Sequence, residues 1–334
     1  MSGRSPGLQQ GASEVLQNST TGNVYHLTGT VIYSSLTSTV LLGVERDTKL
    51  EVAIKVLLKH KFDDEKEYRQ AVEEVRLHSA VPPHANVIDL LAAEDTRTAV
   101  LLVTPYAPHG DLWQLVRYGQ TYCESEVQNC ASQIIAALKH IHSVCGLIHG
   151  DIKPHNLLLF QVDDKHVVQL CDFGFAARPE NPDGQISFKC LRGTHGWFAP
   201  ELLRGRSYGY QVDLFSSGLI LFRMLAGYAP FDPPSNLRRP VEFEERYWCH
   251  VSDPCIDLVD QLLCFDPAER GTAVELHDHP WFAGPPPEPT SEQMSSLMKS
   301  GPAPRTDVKF WPANQMPENR RQRSNPKPFS MSVG

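Results

Sequence analysis

None of the eight cysteines, at 123, 130, 145, 171, 190, 249, 255 and 264, forms a Cys-x-x-Cys pair. The ligand spacing of a structural zinc site is therefore missing. Most of the cysteines sit in apolar segments such as "NCASQIIAAL", which reads as free buried thiols in a reducing compartment. A cationic excess is also missing: 31 Lys and Arg face 39 Asp and Glu, a formal net charge of −8 at pH 7. Nonspecific nucleic-acid binding needs clustered cations that displace counterions, so nucleic acid is excluded as a partner. No uninterrupted apolar run approaches the roughly 20 residues of a membrane-spanning helix. The opening "MSGRSPGLQQGASEVLQNSTTGN" has no apolar core like that of a signal peptide. These absences predict a cytosolic protein, with the nucleus as the alternative, and no membrane partner.

A length of 334 residues with 41% hydrophobic content suits two domains, or one bilobal unit, around a sizeable core. Residues 1–23 are polar and read as a disordered arm. From Val24 the β-branched runs "VYHLTGTVIY", "STVLLGVE" and "LEVAIKVLL" predict antiparallel strands. The charged stretch "DDEKEYRQAVEEVRLHSA" predicts one helix among them, ended by Pro82 and Pro83. Past "AVLLVTPYAPHGDL" the pattern turns helical, with Val127, Ile134, Ile135, Leu138 and Ile141 on one face. Residues 283–334 hold ten of the 26 prolines. They read as a mildly basic disordered tail, a candidate docking segment for a partner.

The residues that carry chemistry lie mid-chain. "VAIK" ends at Lys55, "HGDIKPHN" spans His149 to Asn156, "DFG" spans Asp172 to Gly174, and "GTHGWFAPE" runs from Gly193 to Glu201. In that order and spacing they resemble the motifs of a eukaryotic protein kinase of the Ser/Thr type, and most of all its calcium/calmodulin-kinase-like branch. The resemblance covers 24–282. It implies an α+β bilobal fold: a small β-rich N-lobe (24–104) with one key helix, a hinge (105–110) and a larger, mainly helical C-lobe (111–282). It also implies transfer of the γ-phosphoryl of ATP, with Mg²⁺, to Ser or Thr hydroxyls of a protein substrate.

Roles follow from the same resemblance. Asp151 would take the hydrogen bond and the proton of the acceptor hydroxyl, and Lys153 would neutralise the moving phosphoryl. Asn156 and Asp172 would offer hard oxygens to Mg²⁺. Lys55 would hold the α/β-phosphates and needs a carboxylate partner, for which Glu73 and Glu74 compete. Spacing to "HANVIDLL" favours Glu74 and sets Leu77 at an apolar position. Neighbours on a helix diverge by about 100°, so only one glutamate can serve. Val40, Ala53, Thr104, Pro105, Ala107 and Leu158 would line the adenine pocket. There Pro105 offers its carbonyl and Ala107 its N–H. Asp111 would reach the ribose or act as a solvated cap. Cys171 reads as an inert buried thiol on the cleft floor. Glu201 would pair with Arg270, and Asp213 would hold the catalytic loop.

Three departures stand out. Where the family carries lid glycines, this chain has Tyr33, Ser35 and Ser38. Glycine there lets backbone N–H groups approach phosphate, so a weaker grip is expected, by about 1–3 kcal/mol. Gly150 replaces an arginine that usually pairs with a phosphate on the activation segment. Activity is therefore expected without such phosphorylation. His155 and Arg223 stand where many basophilic kinases carry acids, so an arginine upstream of the target is not expected to be required. The rival to an active kinase is a pseudokinase scaffold, favoured by the lid and opposed by the retention of Lys55, Asp151, Asn156 and Asp172.

Overall fold

The computed structural model describes residues 15–17, 22–35, 37–116, 121–162, 165–181, 184–231 and 240–288. These divide into two compact units: residues up to 72 with 89–106, and 73–88 with the residues from 107 onward.

The first unit is a six-stranded antiparallel sheet in the order β1-β2-β3-β4-β6-β5. Its strands are β1 (Val15–Gln17), β2 (Val24–Ser34), β3 (Ser38–Glu45), β4 (Glu51–Leu58), β5 (Ala92–Asp95) and β6 (Ala99–Pro105). Alternation decides its two faces. Leu41, Val52, Ile54, Val56 and Val103 are buried in one core with Tyr25, while their neighbours in sequence turn the other way.

Strand β1 lies within the stretch 1–23 that reads as a disordered arm. Leu16 is buried and Val15–Gln17 pair with Val24–His26. The open edge of β2 is a template of unpaired N–H and C=O groups, and "VLQ" supplies one apolar side chain to the core. Three residues carry no periodicity, so the strand was invisible in the sequence. The other residues of the arm, apart from 22 and 23, and the tail beyond 288 lie outside the described residues.

Helix α1 (Glu65–Ser79) begins in the first unit and ends in the second. The second unit is built on α2 (Glu124–Lys139), which continues as a π-helical turn over His140–Val144. The hairpin β7 (Leu157–Val162) and β8 (Lys165–Leu170) follows. Then come α3 (Pro200–Leu203), α4 (Gln211–Ala226), α5 (Glu245–Trp248), α6 (Asp253–Leu262) and α7 (Ala273–His277). Val127, Ile134, Ile135, Leu138 and Ile141 are all buried in its core. Helix α4 is buried nearly all round, as its unbroken "LFSSGLILF" demands. Trp281 closes the unit, donating Nε1–H to the buried Glu124 Oε1 at 2.7 Å. Among the described residues no helix is long and apolar enough to cross a membrane, and all eight cysteines are free thiols.

Candidate active site

The loop between the π turn and β7 is fixed by one carboxylate. Asp213, in the first turn of α4, is fully buried. Its Oδ2 accepts from His149 N at 2.8 Å and His142 Nε2 at 2.9 Å, and its Oδ1 accepts from Gly150 N at 2.8 Å. A carboxylate with three donors is well compensated. His149 Nδ1 accepts from Asp151 N at 3.3 Å, so Nε2 carries the proton and donates to Cys171 O at 3.1 Å.

Held this way, Asp151 is buried with its two oxygens in different circumstances. Oδ2 accepts from Lys153 Nζ at 2.6 Å and from Asn156 Nδ2 at 3.2 Å. Oδ1 is buried and has no hydrogen-bond partner among the described residues. A buried acceptor left open costs on the order of 1–3 kcal/mol. Lys153 Nζ also donates to Thr194 Oγ1 at 2.7 Å, so one ammonium ties Thr194 to Asp151.

Two glycines permit this closeness. Gly193 has φ +112° and Gly150 φ +76°. A methyl group on Gly193 would lie 2.9 Å from Gly150 O and 3.5 Å from Asp151 Oδ1. Asp151, Thr194 and Trp197 also line one small cavity of about 10 Å³.

Asn156 spends its amide nitrogen on Asp151 O at 2.8 Å, which leaves its carbonyl oxygen as the acceptor. Asp172 sits at φ +67°, a left-handed conformation that costs a non-glycine residue about 1–3 kcal/mol. A methyl group on Gly174 would lie 3.2 Å from both Asp172 Oδ1 and Glu74 Oε2, so two carboxylates converge there. Glu74 is buried, whereas Glu73 pairs with Arg76 at 2.5 Å on the surface. Among the described residues no group of three or more His, Cys, Asp or Glu could hold a metal ion. Magnesium usually takes only one or two protein carboxylates and completes its shell from phosphates and water. The oxygens of Asn156 and Asp172 fit that demand.

In the sheet unit, register places the nucleotide candidates on one face. Val40 pairs with Lys55, Lys55 with Leu102, Ala53 with Thr104, and Val52 with Pro105. Cross-strand partners share a face and residues two apart repeat it, so Val40, Ala53, Lys55 and Thr104 point together, away from the Ile54 core. In the helical unit Ala107 is buried and its carbonyl accepts from Gly110 N. Asp111 forms a backbone bridge with Leu158.

The lid differs from its expected role. Ser35 N donates to Ser38 O at 2.8 Å, and Ser38 N donates to Ser35 Oγ at 3.1 Å. Both N–H groups offered for phosphate are used inside the β2–β3 turn. Tyr33 lies opposite Val40 and is 56% exposed, and β2 bulges on either side of Val31.

Glu201 and Arg270 form a buried bidentate pair at 2.7 and 2.9 Å. Two further residues escape sequence reading. His142 grips Asp213 from 71 positions away. His78 stacks on Phe173 at 4.5 Å and donates from Nε2 to Ile88 O at 2.9 Å. Neither belongs to a motif, and only the fold joins them to their partners.

Residues 34–282 match the protein kinase domain. The chain is 32% identical over 250 residues to a serine/threonine-protein kinase of Drosophila simulans, covering 72% of this chain and 32% of that protein. It is 32% identical over 208 residues to calcium/calmodulin-dependent protein kinase type 1 of Caenorhabditis briggsae, covering 60% of this chain and 57% of that protein. With its namesake from Macrobrachium nipponense the identity is 29% over 251 residues, covering 73% of this chain and 70% of that protein. The chain thus spans about a third of the length of the Drosophila relative and more of the others. It belongs to the protein kinase family.

Proposed function

We propose that this chain is an active serine/threonine kinase that transfers the γ-phosphoryl group of ATP to protein hydroxyls. One observation carries the reading: Asp151 has one oxygen clamped by Lys153 and Asn156 and the other buried and open. That oxygen receives the hydroxyl proton as the hydroxyl oxygen bonds to the γ-phosphorus and the bond to the β-phosphate oxygen breaks, releasing ADP. Lys153 lies where it can offset charge on the transferring group, and Thr194 keeps it there. Lys55 serves the α/β-phosphates from the sheet face that carries Val40, Ala53 and Thr104. Asn156 and Asp172 would hold Mg²⁺, which supplies charge neutralisation at the phosphates when bound. Free thiols suit a reducing compartment, the cytosol or the nucleus.

The self-closed lid favours a second reading, a scaffold with weak or no catalysis. An assay of Mg²⁺-ATP turnover on a generic Ser/Thr protein separates the two. Turnover well above Asp151→Asn and Asp172→Ala controls is expected. Turnover equal to the controls, with ATP still bound, would establish the scaffold.

A further inference from the structure

The segment that follows α7 is clamped by α2. Trp281 is buried, and its Nε1–H donates to Glu124 Oε1 at 2.7 Å. The other oxygen of Glu124 accepts from Ser252 N at 2.8 Å, which fixes the carboxylate. One turn further along α2, Gln128 Nε2 donates to Trp281 O and, at 2.8 Å, to Gly284 O. A primary amide nitrogen carries two hydrogens, so both are used on this one exit from the fold. The backbone is therefore held as far as Gly284.

The sequence then reads "PPPEP" over 285–289. Residues 285–288 form neither helix nor strand. Proline fixes φ near −65° and has no N–H. A residue that precedes a proline is pushed out of the helical region toward extended or polyproline II backbone. Gly284, Pro285, Pro286 and Glu288 all precede a proline, so local sterics favour polyproline II here. That helix has three residues per turn, and the sequence spells P-x-x-P at 286–289 with the same period. Pro285, Pro287 and Glu288 are exposed. Among the described residues no backbone N–H donates to the carbonyls of Pro285, Pro286 or Pro287. Three proline rings and three acceptors thus leave the clamp with no use inside the unit's own backbone.

We infer that the prolines after the Gln128 clamp are a docking ridge for a protein module that reads polyproline II through an aromatic-lined groove. Such grooves take proline rings against aromatic side chains and bind a backbone that is already stiff. The clamp adds to this, because a ridge leaving the fold from a fixed point loses less freedom on binding. Glu288 places a carboxylate beside the rings and favours a groove with a cationic rim. The inference does not depend on phosphoryl transfer.

The test uses the full chain against purified SH3, WW and EVH1 domains, with binding followed by fluorescence anisotropy. At least one domain is expected to bind with a Kd below about 100 μM. Pro285→Ala, Pro286→Ala and Pro287→Ala together should weaken that binding by at least about tenfold. The thermal midpoint of the triple variant should match that of the unsubstituted chain, because none of the three side chains lies in the core. Replacing a groove tryptophan of the binding domain by alanine should abolish binding from the other side. No binding by any of the domains overturns the inference. So does binding that survives the triple substitution, or that is indifferent to the groove aromatic, since the contact would then lie elsewhere on the chain.

Discussion

Ser35 and Ser38 close the lid turn on each other: Ser35 N donates to Ser38 O at 2.8 Å and Ser38 N to Ser35 Oγ at 3.1 Å. A phosphate that wants either N–H must displace a hydrogen bond already made. Glycine at both positions removes the hydroxyl that competes for Ser38 N. Ser35→Gly with Ser38→Gly is therefore expected to lower the KM for ATP by about three- to tenfold, the equivalent of roughly 1 kcal/mol. Steady-state kinetics with varied ATP check this, and an unchanged or raised KM would show that the turn opens at no cost.

The open Oδ1 of Asp151 makes a sharp case. Asp151→Asn keeps the shape and removes the base, so kcat is expected to fall by at least about a hundredfold. The substitution also removes the Lys153 ion pair at Oδ2, so the thermal midpoint is measured beside kcat and the comparison is made where the variant is folded. A drop in kcat of less than tenfold would remove Asp151 from the chemistry.

Gly150 carries no guanidinium, and the activation segment is held by other means. Lys153 reaches Thr194, Glu180 takes Lys189, and Ile186 pairs its backbone with Tyr208. Ser187→Ala should therefore retain activity within about twofold. A large loss that Ser187→Asp restores would mean that phosphorylation orders the segment after all. Gly193→Ala is the harsher change. At φ +112°, with Gly150 O 2.9 Å from the new methyl, it should cost about 1–3 kcal/mol and a matching share of activity. Denaturant unfolding beside kcat reads both.

Glu201→Gln leaves Arg270, which is fully buried, without its anion. Breaking a buried pair by removing one partner costs about 3–5 kcal/mol. Urea unfolding of the full chain should show a loss of that size. A loss below 1 kcal/mol would place the pair in a wetter setting than its burial indicates.

Acid should weaken the helical unit through His250. Its ring nitrogens are buried with no partner among the described residues. Burial holds its pKa below the usual 6.5, with the Glu124 charge opposing. The unfolded chain therefore binds this proton more readily than the folded one. The stabilising effect is complete above the unfolded value and declines as pH falls below about 6.5. The thermal midpoint should drop from pH 7 to pH 5, and His250→Phe should flatten that drop.

The sequence by itself determined the order of strands and helices, because period-2 and period-3.6 apolar patterns and the paired prolines are local signals. It also named Lys55, Asp151, Asn156 and Asp172 as the candidates to carry chemistry, because short motifs in register leave little freedom of assignment. Three matters were decided only by tertiary structure. Glu74 rather than Glu73 is the buried glutamate, since adjacent helix positions differ only by which side meets the core. "VLQ" became a strand because a sheet edge was there to pair with it. The lid serines turned inward because a tight hairpin satisfies its own N–H groups. His78 against Phe173 and His142 against Asp213 belong with these. Each contact joins residues far apart in the chain, where no periodicity or spacing links them and only packing brings them together.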